Sequence, residues 1–149
     1  MASETPVARY DPPMESRLNF VTLVVADLDR ARRFYVDGLG WPAAVDVPDG
    51  LVMIHVGEKL MLSLWAEASA REEIGEVQRG GTLPFTMAHN VASPEDVDAA
   101  LEDARAAGAT VFAAQRRDWG GYSGYFTDPD GFRWEVAHNP HPIGTMTLP

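Results

Sequence analysis

Few residues in this chain are equipped for chemistry. It has four histidines (His55, His89, His138 and His141) and no cysteine. Without thiols there can be no disulfide, thiolate metal site or cysteine nucleophile. His138-Asn139-Pro140-His141 superficially has the form of a ligand pair, but its proline leaves it in an irregular tail. Gly38-Leu39-Gly40-Trp41-Pro42-Ala43 fits the spacing of a dinucleotide-binding loop. It follows a helical pattern instead of a strand, however, and Pro42 breaks the helix that should come next, so it reads as a helix terminus. Gly121-Tyr122-Ser123-Gly124 is not a nucleophile elbow, because Tyr125 stands where the second glycine must be. Trp119-Gly120-Gly121 reads as a loop entering a strand, where glycine permits close backbone approach. There is no phosphate-binding loop.

The frame that must position these groups has 149 residues, enough for one domain or two very small fused subdomains. Apolar residues make up 46%, sufficient for a core without staples. Twelve Lys and Arg against 22 Asp and Glu give a net charge of −10. That sign argues against nucleic acid and against an anionic membrane surface as partners. No apolar run approaches the ~20 residues of a spanning helix. The N-terminus lacks the basic-then-apolar pattern of a secretory signal, so a cytoplasmic protein is expected. Much of the acid lies at Glu95, Asp96, Asp98, Glu102 and Asp103 on one predicted helix. That pattern reads most simply as a solvated face, with steering of a cationic ligand as the other reading.

Residues 1–16, with Pro6, Pro12 and Pro13, read as a flexible N-terminal arm. From Leu18 the pattern becomes regular. Leu18–Val25 is β-branched and apolar, and predicts a buried strand. Asp27 is a good N-cap for a helix carrying Leu28, Ala31, Tyr35 and Leu39, closed by Gly38 and Gly40. Val45–Val47, Leu51–Val56 and Lys59–Trp65 predict three strands, with a turn at Pro48-Asp49-Gly50. Residues 66–82 form a linker that can hold a short helix. The order then repeats. Leu83–Val91 predicts a strand, and Ser93, Pro94 and Asp96 form a helix start. Val97, Ala100, Leu101 and Ala104 supply that helix's apolar stripe. Thr110–Ala114, Tyr122–Thr127 and Phe132–His138 predict three more strands, the last two joined by the turn Asp128-Pro129-Asp130-Gly131. A shift of 66 residues lays Asp27 on Ser93 and Tyr35 on Leu101. Two strand-helix-three-strand units with half-open sheets, set side by side, would make a cup, a natural small-molecule site.

Three stretches carry a resemblance to a known family. Val24-Val25-Ala26-Asp27-Leu28 through Phe34-Tyr35 and Gly38-Leu39-Gly40 is similar to the opening strand and helix of the vicinal oxygen chelate superfamily, the glyoxalase/bleomycin-resistance/dioxygenase fold. Asp128-Pro129-Asp130-Gly131 followed by Trp134-Glu135-Val136 resembles its closing hairpin, and residues 119–126 resemble one glyoxalase-like bacterial subgroup. The resemblance implies an α+β fold of two βαβββ modules, 18–65 and 83–138, forming a cupped mixed sheet with helices outside. It implies a single domain over 17–140 and a C-terminal tail over 141–149. The superfamily's metal enzymes take four ligands in the cup. Carried over, those positions fall on Phe20, Ser63, Thr86 and Glu135, and only Glu135 is a strong donor. No metal or other cofactor is therefore expected.

Side chains alternate along strands, so His89, three residues from Thr86, and His138, three from Glu135, should face away from the cup. Phe20, Ser63, Trp65 and Thr86 are the expected floor and walls, with Trp119 and Tyr122 closing one end. Glu135 is either an acid/base or hydrogen-bonding group for a ligand, or a carboxylate paired with Arg133. Phe34, Tyr35, Phe112, Phe126 and Trp134 are expected to pack helices onto sheets. The resulting expectation is a domain that binds a small organic molecule, cationic or aromatic, without a metal. A lyase, isomerase or dioxygenase of the same fold, and a partner-binding domain with a vestigial cup, stay open beside it. The resemblance also implies self-association, as a homodimer.

Overall fold

The computed structural model describes residues 13–149, so most of the arm read over 1–16 lies outside the described residues. The first module runs β1 (Phe20–Val25), α1 (Leu28–Arg32) with a π-helical turn (Arg33–Gly38), β2 (Ala43–Val47), β3 (Leu51–His55) and β4 (Met61–Ala66). After α2 (Glu67–Ile74), the second module runs β5 (Met87–Asn90), α3 (Pro94–Ala106), β6 (Thr110–Arg116), β7 (Tyr122–Thr127) and β8 (Arg133–His138). A short helix, α4 (Pro142–Thr145), follows in the stretch expected to be only a tail. The helix starts are those written in the sequence. Asp27 accepts from the Arg30 amide at 3.0 Å, and Ser93 Oγ accepts from the Asp96 amide at 3.1 Å with Pro94 in the first turn. β5 is shorter than the predicted Leu83–Val91, and β6 extends past a bulge between Phe112 and Gln115.

The modules form two four-stranded mixed sheets, ordered β1-β4-β3-β2 and β5-β8-β7-β6. In each, the first and last strands pair in parallel and the rest are antiparallel. The α+β fold of two repeated modules is thus the one the resemblance implies.

Strand alternation gives each sheet a helix-covered face and an open face. Leu23, Val25, Val52, Ile54, Leu62 and Leu64 of the first sheet are buried beneath α1. Phe126, Trp134 and Val136 of the second are buried with Val97, Leu101 and Ala104 of α3. The modules meet through these helix-covered faces. Phe34 lies edge-on to Tyr35 at 4.9 Å and 6.2 Å from Phe126, while Trp134 lies 6.2 Å from Tyr35 and 5.5 Å from Trp41. The π-helical turn, closed by the Leu39 amide on the Phe34 carbonyl, buries the adjacent Phe34 and Tyr35 together. Gly38 permits the end of α1 to touch the end of α3, since a Cβ there would stand 2.6 Å from Ala107 Cβ.

A polar clamp locks the same seam. The Tyr35 hydroxyl donates to Asp128 Oδ2 at 2.6 Å and accepts from Trp134 Nε1 at 3.0 Å. One residue pair on, Asp130 Oδ1 accepts from the Ala26 amide at 2.8 Å and from Arg30 at 3.2 Å. Burial is the main cause that raises the Asp128 carboxyl to about 6, against the hydrogen bonds that favour its charge. Burial first, and then the Asp128 charge, push the Tyr35 phenol well above its ordinary value. No helix among the described residues is long and apolar enough to cross a membrane.

Candidate functional site

The open faces carry the residues that the sequence nominates. On the first sheet, Phe20 and Thr22 of β1 stand beside Met61 and Ser63 of β4, and Ser63 pairs with Met53 of β3. Trp65 continues the same face. Phe20 is 47% exposed and Ser63 only 4%, because the larger neighbours wall it in. Val45 and Val47 of β2 add further exposed apolar surface. The face is therefore apolar around two adjacent hydroxyls, Thr22 and Ser63.

The second open face is built around Glu135. Its strand neighbour is Ala88, and the exposed Thr86 lies two residues before Ala88 on the same alternation. Across the β7–β8 hairpin Glu135 faces Tyr125, whose hydroxyl donates to Glu135 Oε2 at 2.9 Å. That hydrogen bond is the leading reason the Tyr125 phenol sits above its usual value. Arg117 donates through Nε and Nη2 to Ser123 Oγ and Ser123 O, both at 2.9 Å, and its guanidinium lies 5.7 Å from the Tyr125 ring centre. Arg133 lies 5.7 Å from the same ring and 4.7 Å over Phe112.

Three expectations change here. Glu135 takes Tyr125 as its hydrogen-bond partner, and Arg133 stacks on rings instead of pairing with the carboxylate. Phe112 is 43% exposed on the open face and packs no helix; its register opposite Tyr125 puts it there. Tyr122 sits on the helix-covered face, donating to Asp98 of α3 at 2.7 Å, so it does not close the open face. Trp119 is an exposed loop residue whose ring covers Gly121 and whose carbonyl accepts from His141 Nε2 at 2.7 Å. Gly121 is a close-approach glycine, since any side chain there would collide with that ring.

The structure brings Phe20, Ser63 and Trp65 together on one open face, and Thr86 and Glu135 on another. It does not bring the two groups together. The modules join through their helix-covered sides, so the open faces point away from each other and one chain does not close the cup between its own modules. Tyr125, Arg117 and Arg133 were missed as a group. Tyr125 was within reach of the sequence: a hairpin centred on the Asp128–Gly131 turn that pairs Thr127 with Arg133 must also pair Tyr125 with Glu135.

A recess of about 640 Å³ opens at the end of the seam, between Val21, Leu62, Trp41, Met87 and Trp134, and Thr86 and Ala88 at the edge of the second open face also line it. His89 stands on its wall, on the helix-covered side, and burial lowers its imidazole below the usual histidine value. Its walls are mostly apolar, continuing the core, with His55, Thr86 and His89 as polar members.

The residues at the superfamily's ligand positions do not fit a metal ion. Phe20 has no lone pair to give, and the neutral hydroxyls of Ser63 and Thr86 are poor donors to transition ions. Glu135 already accepts from Tyr125. Among the described residues no three of His, Asp and Glu cluster so that they could hold an ion.

With this geometry in view, the comparisons with known proteins fall into place. The family model for the Glyoxalase/Bleomycin resistance protein/Dioxygenase superfamily matches residues 17–136, and the chain belongs to that superfamily. A glyoxalase-related enzyme from Fulvimarina pelagi is 30% identical, with a TM-score of 0.77, over 85% of this chain and 90% of that one. A glyoxalase/bleomycin resistance protein/dioxygenase from Nocardioides is 25% identical, with a TM-score of 0.72, over 92% and 93%. A lactoylglutathione lyase from Agrobacterium tumefaciens is 26% identical, with a TM-score of 0.64, over 84% and 95%. No curated protein matches the sequence.

Proposed function

We propose that the chain binds a small organic molecule against its open faces, without a metal ion, in a cup that two copies complete. The observation that carries this reading is the pair of open faces. One is apolar around Ser63, the other polar around the Tyr125–Glu135 hydrogen bond, and they point apart within a chain. A homodimer that sets the first module of one copy against the second module of the other would bury Phe20, Val45 and Val47, which are otherwise left in water. It would also put Phe20, Ser63 and Trp65 opposite Thr86 and Glu135, the arrangement the superfamily resemblance implies.

Sedimentation and metal analysis test the reading together. The expected result is a dimer, without stoichiometric transition metal, that Trp65→Glu converts to monomer while the far-UV spectrum is kept. A wild-type monomer, or an ion lost on Glu135→Ala, would overturn it.

A second reading, an enzyme, is favoured by the Tyr125–Glu135 pair alone. A phenol and a carboxylate in direct hydrogen bond can shuttle a proton to a bound carbonyl compound, the chemistry class that the neighbouring lyase's name suggests. Turnover of a hemithioacetal that disappears in Glu135→Gln would establish it.

A further inference from the structure

The chain is strongly acidic, yet its second open face is not. Three charged groups meet around the Tyr125 ring: Arg117, Arg133 and Glu135. Two are cations and one is an anion. The ion pairs of the described residues engage arginines elsewhere, and none joins a carboxylate to Arg117 or Arg133.

Both guanidiniums are nevertheless held in place. Ser123 takes two donors of Arg117 and leaves its Nη1 uncommitted. Phe112 supports Arg133 from beneath at 4.7 Å, leaving its planar edge to donate. A guanidinium whose orientation is set by such contacts loses little freedom when it takes up an oxyanion in bidentate fashion. Glu135 accepts from the Tyr125 hydroxyl and forms no ion pair with either arginine.

From this juxtaposition we infer that the second open face selects an organic oxyanion, with its charged end at the Arg117 and Arg133 guanidiniums beside the Tyr125 ring and its apolar part on Phe112. The inference rests on the open faces being the binding surface. It reverses the sign of ligand that the composition suggests: a net charge of −10 argues for a cation, whereas the local set argues for an anion. Carboxylates and phosphonates share the required chemistry.

Four probes of one shape separate the outcomes: benzoate, phenylphosphonate, neutral benzamide and cationic benzamidine. Each is titrated into the full chain, with amide resonances of β7 and β8 followed by NMR. Benzoate or phenylphosphonate should bind at least ~10-fold more tightly than the other two, from charge-assisted hydrogen bonds. Whichever of the two binds more tightly identifies the oxyanion class. Arg117→Gln and Arg133→Gln should each weaken it by about 10-fold, and Arg116→Gln, which stacks on Tyr122 instead, should not. Raising the salt should weaken it further. Thermal melting of each variant confirms that it is folded. Tighter binding of benzamidine, abolished in Glu135→Gln, would overturn the anion inference and leave the open-face reading intact. If every probe perturbs only the seam around His89 and Met87, or none perturbs either face, both fail.

Discussion

The two modules share their insides and differ on their open faces. Leu62 in β4 and Trp134 in β8 occupy the same place, the helix-covered side near the strand start, and both are buried in one continuous core. Next to them in sequence the chain turns outward and the modules part. Beside Ser63 the first module places Thr22 and Met53, with Phe20 and Met61 next along, whereas beside Glu135 the second places Tyr125 and Ala88, with Arg133 next along. The inner positions are constrained by packing against one shared core, where a lost or added methylene is felt. The outer positions lie off that shared core, and are freer to acquire one surface for self-recognition and another for a ligand. Divergence between the halves therefore marks where function is to be sought.

The sharpest way to break this contrast is from inside. Trp134→Ala removes a ring that touches Tyr35, Trp41 and Phe126, and should cost about 3–5 kcal/mol in urea unfolding. The next test uses the buried carboxyl at the seam. The folded-state value for Asp128, about 6, lies above its ordinary 3.8. The native state thus holds the proton more tightly, and that stabilisation is full below about 4 and lost as pH rises through about 6. Compared with Asp128→Asn, which does not titrate, the wild type should lose up to roughly 3 kcal/mol between pH 4 and 7. An unchanged difference across that range would show the group to be ordinary.

Smaller effects belong to the open faces. Tyr125→Phe keeps the ring that both arginines contact and deletes one hydrogen bond to Glu135, for a cost of about 1 kcal/mol. Phe20→Ser, at a half-exposed position, should change the stability of the monomeric Trp65→Glu background by no more than ~0.5 kcal/mol. A large loss there would mean that the first open face packs against something within the chain, and the contrast between faces would collapse.

Much of the frame was legible because it is written in local chemistry. Asp27 and Ser93 announce helix starts by the side-chain oxygens they offer, and Asp128-Pro129-Asp130-Gly131 announces a turn by its backbone preferences. The faces of Ser63, His89 and Glu135 follow from alternation. What the sequence left hidden is relational. Apolar periodicity marks Phe34, Phe126 and Trp134 as interior, but it does not say that they meet one another across the modules. The side on which the halves join, and so the direction in which the open faces look, depends on that meeting. Phe112 was misjudged for a related reason: a phenylalanine reads as core, and only its register opposite Tyr125 turns it outward to support Arg133. Arg117 lies past the end of β6, where no periodicity reaches.

The clamp formed by Tyr35, Asp128 and Trp134, with Asp130 on the Ala26 amide, ties residues that are 93 to 104 positions apart. Its consequence concerns how the chain comes apart. Tyr35 and the Ala26 amide belong to the first half and Asp128, Asp130 and Trp134 to the second, so neither half can open without breaking these bonds to the other, and the repeats should melt as a single cooperative unit. Amide hydrogens of β1 and β8 should then exchange with one common opening free energy, although the architecture looks like two separable pieces.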